Sequence, residues 1–357
     1  MSAPVIERPT AGGPRLGALI RAEFLRARSR RSLRWLTLLA LLAVTGVAAI
    51  MFATTATVGQ AELDRAADQF MAEQMQWYDE CLADPGIPED QRADACWKPT
   101  REDALSNAVW MLDKRPFDNS AMSGLLNLAG GLGLAVCLLI AASAGGAEWS
   151  ARTMGLLFSW EPRRLRVFGV RMGVVVVVAV VIVAVLLAVA LGLGALIAGQ
   201  HGPDPGFVLG DGSSNDLGPA DLSAAWELAL RWLPLAGLAA AGAYAVAMAT
   251  RSTGWAIGAT IAFVLVAESV IQGLWAWGSQ WLIQTNALAW LGGGVAWVVD
   301  RGASQQGYSN YELTDVVPLV GAGEIWISQA RALGVLAAIV VVISVIAGVL
   351  LRRRDVD

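Results

Sequence analysis

The chain has 357 residues, of which 56% are hydrophobic and 16% charged. With a mean hydropathy of +0.54 it is too apolar for a soluble domain, where about 45–50% of residues are apolar and about 25% charged. The formal charge of −4 excludes a basic nucleic-acid binder and conceals a segregation: the first 34 residues carry eight Arg and two Glu, net +6, whereas residues 59–120 carry six basic and fourteen acidic residues, net −8. Such a split reads as the two sides of a membrane.

Residues 1–34 are expected to form a cytoplasmic N-terminus. Leu16, Leu19, Ile20 and Phe24 share one helical face, with Arg15, Arg21 and Arg26 mostly elsewhere. The pattern predicts an amphipathic helix lying on the inner leaflet; the plainer alternative is a basic flank that only sets orientation. The Arg-rich region is long and the following apolar run is long enough to span, so the start reads as a signal anchor and not a cleaved leader. The first span is expected over 35–58.

Residues 59–120 read as a soluble extracytoplasmic insertion. Leu63, Ala67, Phe70 and Met71 recur at helical spacing, as do Leu105, Val109 and Leu112, predicting two helices joined across 85–88. Cys81 and Cys96 fall here. A disulfide would staple so small a core, two free thiols being the alternative. Two cysteines and a single histidine, His201, do not make a structural zinc site. Cys137, in the middle of a span, is expected only to pack.

The second span is expected over Ala121–Ala144, with Asn127 inside it, and the third over Val167–Ile197. Between them Thr153, Leu156, Leu157 and Trp160 form a short apolar face, Glu148 and Arg152 stand at i,i+4 spacing, and Pro162 stops the helix before Arg163, Arg164 and Arg166. This reads as a protruding helix at about 147–162 suited to a soluble partner, or as a basic loop that only fixes topology.

The fourth span is expected over Trp232–Thr250 and the fifth over Gly254–Trp275. Glu268 lies some 14 residues into the fifth, roughly 21 Å along its axis. An acid at that depth faces a cavity or a partner. It reads either as a polar lining of a translocation pathway or as a residue bonded to Gln272; Asn127 reads first as packing and second as pathway. Residues 276–299 hold Trp277, Trp281, Trp290 and Trp297 but also Gln280, Gln284, Asn286 and Gly292-Gly293-Gly294. A re-entrant helical hairpin fits this mixture better than a seventh span. The last span is expected over Ala332–Leu351.

With six spans, the Arg groups at 26–34, 152–171, 251 and 352–354 fall on one side, which the charge rule makes the cytoplasm of a cell (inner or plasma) membrane. The acidic loop after the third span lies opposite, and Arg231, Arg301 and Arg331 are scattered exceptions. The fold class is thus all-α and polytopic, with both termini cytoplasmic.

The order Glu148, Thr153, Leu156, Leu157, Pro162, Arg163, Arg164, Arg171 resembles the pattern between the second and third spans of ABC-2 type ABC transporter permeases, which usually have Gly where this chain has Arg152 and often Lys at Arg171. The opening Leu-Ile-Arg-Ala-Glu-Phe-Leu-Arg, the six spans and the hairpin after the fifth extend the resemblance over most of the chain, residues 59–120 excepted. It implies that Glu148, Arg152, Thr153, Leu156, Leu157, Pro162, Arg163 and Arg164 form a coupling helix seated on a separate ABC ATPase subunit, and that two copies make an exporter. The chain has no Gly-rich phosphate loop, and neither of its lysines, Lys98 and Lys114, follows the required Gly. It is therefore not expected to be an enzyme or to hold a cofactor; ATP and Mg would belong to the partner. Gly237 with Ala241, and Ala129 with Gly133, suit close packing of spans. The other readings are a receptor or signalling subunit binding a ligand through residues 59–120, a secondary transporter, for which no pair of broken helices is visible, and an intramembrane enzyme, for which no catalytic constellation is visible.

Overall fold

The computed structural model describes residues 16–89, 92–108, 111–155, 158, 163–202, 220–298 and 324–353. The described residues are mostly helical, at 83%, and among them six helices are long and apolar enough to cross a membrane. This makes it a multi-pass membrane protein.

In chain order the elements are α1 (Leu16–Ser29), α2 (Arg31–Thr54), α3 (Gln60–Ala83), α4 (Arg92–Ala95), α5 (Arg101–Ala108), α6 (Asn119–Ser150), α7 (Arg164–His201) and α8 (Leu222–Thr250). A continuous span follows, made of α9 (Thr253–Ile261), a π-helical turn (Ala262–Ala267) and α10 (Glu268–Leu274). Then come α11 (Ala276–Ser279), α12 (Ile283–Leu291), β1 (Gly294–Val298), β2 (Glu324–Ser328) and α13 (Gln329–Arg353). The second, third and sixth spans exceed the sequence estimates at both ends, whereas the first stops at Thr54, short of the expected 58. The 38 residues of α7 extend about 57 Å at ~1.5 Å per residue, well beyond an apolar layer of about 30 Å.

Two compact units are present. One comprises residues 41–130 and 185–230. Its inserted segment packs Leu63, Ala66 and Ala67 of α3 against Ala104 and Ala108 of α5, with Phe70, Met71 and Leu105 around them. Cys81 and Cys96 are joined by a disulfide, 5.8 Å between Cα atoms, and Arg101 pairs with Asp64 at 3.1 Å and with Asp68. Val109 lies outside the described residues. Where α6 passes α7, a Cβ on Gly194 would stand 2.5 Å from the Met122 sulfur, so glycine sets that approach.

The other unit comprises residues 1–40, 131–184 and 231–357. Here the all-helical expectation needs correction. The segment 276–299 is neither a seventh span nor a helical hairpin: after two short helices it runs into β1, which pairs antiparallel with β2, Ala296 opposite Trp326. The cause is local. Gly293 and Gly294 take φ of 83° and 132°, open to glycine at no steric cost, and they end α12. Beyond them Val295 and Ile327 are buried with Ala289 and Ala332, and Trp290 and Trp297 pack on that core, the two-residue repeat of a strand.

Candidate functional site

The third of α6 nearest its C-terminus is built from small residues, and these bring it against α8. A Cβ on Gly145 would lie 2.8 Å from the Tyr244 carbonyl oxygen, and one on Gly146 would lie 2.3 Å from the Thr253 nitrogen. The helix closes with paired backbone bonds, Arg152 N–H to Trp149 at 3.1 Å and Thr153 N–H to Glu148 at 3.0 Å. Arg152 itself is left-handed, φ 56°. That is the glycine-type helix stop. Residues 147–150 are therefore the end of α6, and a separate coupling helix does not begin at 147. Because the chain reverses at Arg152, the expected Glu148–Arg152 pair along one helix does not form.

Glu148 instead meets Arg171, two turns into α7. Arg171 Nη1 and Nη2 donate to the two carboxylate oxygens at 2.7 and 2.5 Å. Its Nε stands 3.4 Å from Glu23 of α1, and its side chain is 3% exposed. Arg26 bonds Glu23 at 2.8 Å, and Arg26 and Arg30 each approach Glu148 to 3.8 Å. A guanidinium this buried carries a desolvation cost of several kcal/mol, offset only by good geometry; the two-pronged contact with one carboxylate supplies it. Burial and the Arg171 charge pull Arg30 below its ordinary range, opposed by Glu148 and Glu23. The cluster fastens α1, the end of α6 and the start of α7 to one another.

Around this base lie the other residues of the expected coupling segment. Arg152, Thr153 and Arg163 are exposed. Arg164 donates to the Leu351 carbonyl at 3.3 Å and lies 5.6 Å from the Phe158 ring centroid. Trp149 faces Phe158 at 6.5 Å on one side and the Arg251 guanidinium at 4.4 Å on the other. Arg251, at φ 55°, turns the chain between α8 and α9. Leu156, Leu157, Trp160 and Pro162 lie outside the described residues. Sequence reasoning passed over Glu23 and Arg251 as parts of the site, and it took Arg171 as a basic position of the motif without pairing it with Glu148. For Arg171 a signal existed: a cation beside a long apolar run needs an acid.

Glu268 is fully buried, but its partner is not Gln272. Its two oxygens accept the backbone N–H groups of Ile283 and Gln284 at 2.7 and 2.8 Å, which caps the N-terminus of α12. Gln284 returns its side-chain amide to the Val264 carbonyl, in the π-helical turn, at 2.6 Å. At the other end of α12, Arg231 donates to the Leu291 carbonyl at 2.9 Å, and Trp290 donates to the Arg231 carbonyl at 2.6 Å. An anion at the N-terminus and a cation at the C-terminus both oppose the helix dipole, each worth about 0.3–1 kcal/mol and up to ~2 when partly buried. Asn127, by contrast, sits on the exposed face of α6.

Fold and site together define a polytopic helical membrane protein with a charge-anchored segment between its second and third spans. The chain matches no known family model and no characterised protein.

Proposed function

We propose that this chain is the membrane-spanning permease subunit of an ABC-2 type exporter, working as a dimer and driven by a separate ATPase. The observation that carries the reading is the segment after α6. Its polar residues Arg152, Thr153 and Arg163 are exposed, while immediately behind them Glu148 and Arg171 lock the segment's base to α1 and α7. An exposed contact on a stiff base passes a push into the spans, and a loop that only fixed topology would need no such base. The order of motif residues, the six apolar helices and the missing phosphate loop support the same division of labour. Both termini and the segment 147–166 then face the cytoplasm, and residues 59–120 lie outside. Glu268 and Asn127 remain candidates for the pathway, Glu268 through the α12 element it holds and Asn127 through its exposed face.

The test is affinity purification from native membranes. The wild type is expected to retain a polypeptide that hydrolyses ATP. Leu157→Asp and Arg163→Glu are expected to release it while the chain stays monodisperse. Labelling of a cysteine placed at residue 153 from outside the cell would refute the reading, as would a purified chain with no nucleotide-hydrolysing partner.

A further inference from the structure

The charge cluster has a second face. Glu23, Arg26, Arg30 and Arg171 line the head of a cleft whose walls are otherwise apolar, including Leu33 of α2, Ile140 of α6, and Val174 and Val178 of α7. From Arg171 to Val178 the cleft follows α7 for about 10 Å at ~1.5 Å per residue. It therefore passes from a charged layer into a hydrocarbon-like one within two turns. The cleft is shallow, with a cavity volume of only about 30 Å³, so the bulk of any occupant lies along its open side.

Among the described residues the charges there do not balance. Three guanidinium groups, Arg26, Arg30 and Arg171, face two carboxylates, Glu23 and Glu148. Arg171 is satisfied by direct contacts. Arg30 is not: its nearest carboxylate oxygen is 3.8 Å away and its remaining bond, to the Ser143 hydroxyl, is 3.5 Å long. Arg26 has one direct partner, Glu23, and is 43% exposed. Two partly exposed cations with spare N–H groups stand above an apolar trough.

We propose that this cleft binds one anionic phospholipid, its phosphate bridging Arg26 and Arg30 and an acyl chain lying against Leu33, Ile140, Val174 and Val178. The combination selects a lipid over a free anion, because an inorganic ion gains nothing from the apolar wall. It selects an anionic over a zwitterionic lipid, because a headgroup amine would meet the same arginines. The bound lipid supplies the missing negative charge and completes the cluster that holds α1. The inference concerns the cleft alone and holds whether or not an ATPase is the partner.

The test uses the full chain purified in detergent and titrated with phosphatidylglycerol, phosphatidylcholine or inorganic phosphate. Bound lipid is counted by native mass spectrometry, and thermal stability is followed in parallel. The wild type is expected to hold one phosphatidylglycerol in preference to phosphatidylcholine, with inorganic phosphate giving no stabilisation. At about 1 kcal/mol per arginine near a membrane surface, Arg30→Gln should lower that preference roughly five-fold and the Arg26→Gln/Arg30→Gln pair roughly 25-fold, while Arg30→Lys keeps most of it. Val178→Trp, which fills the trough and leaves the cations, should weaken both lipids. Equal binding of the two lipids by the wild type would overturn the proposal, and needs no variant to fold. Equal stabilisation by phosphate, or a preference unchanged in the folded double variant, would do so too.

Discussion

Replacing Glu148 by Gln tests how much of the fold rests on the Arg171 cluster. In the wild type Arg171 has two direct bonds to Glu148 and one longer contact, 3.4 Å, to Glu23. A glutamine offers one oxygen where two were used and turns an amide toward a guanidinium N–H. Three arginines would then face the single carboxylate of Glu23, with Arg171 only 3% exposed. Breaking a buried pair by removing one partner costs about 3–5 kcal/mol. Glu23 stays near, and Glu148 is itself 17% exposed, so the lower end applies: about 3 kcal/mol, more than a hundred-fold in the folded ratio.

The assay is thermal retention of monodisperse protein, with limited proteolysis reporting release of α1. Glu148→Gln should expose α1 to protease first. The double variant Glu148→Gln/Arg171→Met, which removes both charges, should be more stable than Glu148→Gln alone, since an uncharged pair replaces an orphaned cation. A Glu148→Gln protein within about 0.5 kcal/mol of the wild type, or singles whose costs simply add in the double, would refute the account of the cluster.

Arg152 and Arg251 both hold left-handed backbone, so Arg152→Gly should stabilise by about 1 kcal/mol in a thermal scan, whereas Arg251→Gly gains less because it gives up the Trp149 contact at 4.4 Å. The disulfide closes a span of 15 residues; its loss, by reductant or by Cys81→Ser, should cost the inserted domain about 3 kcal/mol, read as faster proteolysis between residues 60 and 108 with the spans intact. Asp221 accepts from the Ser223 amide and hydroxyl at 2.8 and 2.7 Å, and these bonds hold its carboxyl below the ordinary 3.8. The folded value being the lower one, this cap is fully present above the unfolded value and is lost as pH falls through the folded value. Protection of the amides at the start of α8, taken relative to their intrinsic exchange at each pH, should therefore fall in acid, and in Asp221→Asn that protection should not change with pH over that range.

The spans were legible because each has 22 or more residues of uniform chemistry, and no local signal competes with that. The end of α6 was not, because i,i+4 spacing assumes a helix that continues, and only the backbone reveals that the chain reverses at Arg152. Glu268 was singled out as an acid out of place. Its partner was missed because a capped helix start 15 residues downstream offers backbone N–H groups, which a sequence does not display as charges. The strand pair could have been found: Val295 and Trp297, with Ile325 and Ile327, alternate on either side of a missing stretch of pattern, and three consecutive glycines mark where the helix stops. What hid it was the apolar character of the whole segment, in which a helix and a buried strand look alike.

The arginines that disobeyed the charge pattern have local work inside the fold. Arg231 closes α12. Arg331 binds Gln280 and lies over the Trp281 ring at 5.0 Å; Arg301 lies outside the described residues. A cation engaged by protein groups costs less to move across a bilayer than a solvated one, so it carries little weight in setting orientation. The exposed arginines are the ones to count. Outside the acidic inserted domain, those among the described residues are Arg21, Arg26, Arg28, Arg31, Arg34, Arg152, Arg163, Arg352 and Arg353, and in the proposed six-span topology they share one side. Arg331→Gln should therefore loosen the α12 element, lowering thermal stability by about 1–3 kcal/mol, and leave orientation unchanged. A mixed orientation of Arg331→Gln in a two-sided labelling experiment would show that engaged cations do count, and the assignment of sides would have to be rebuilt.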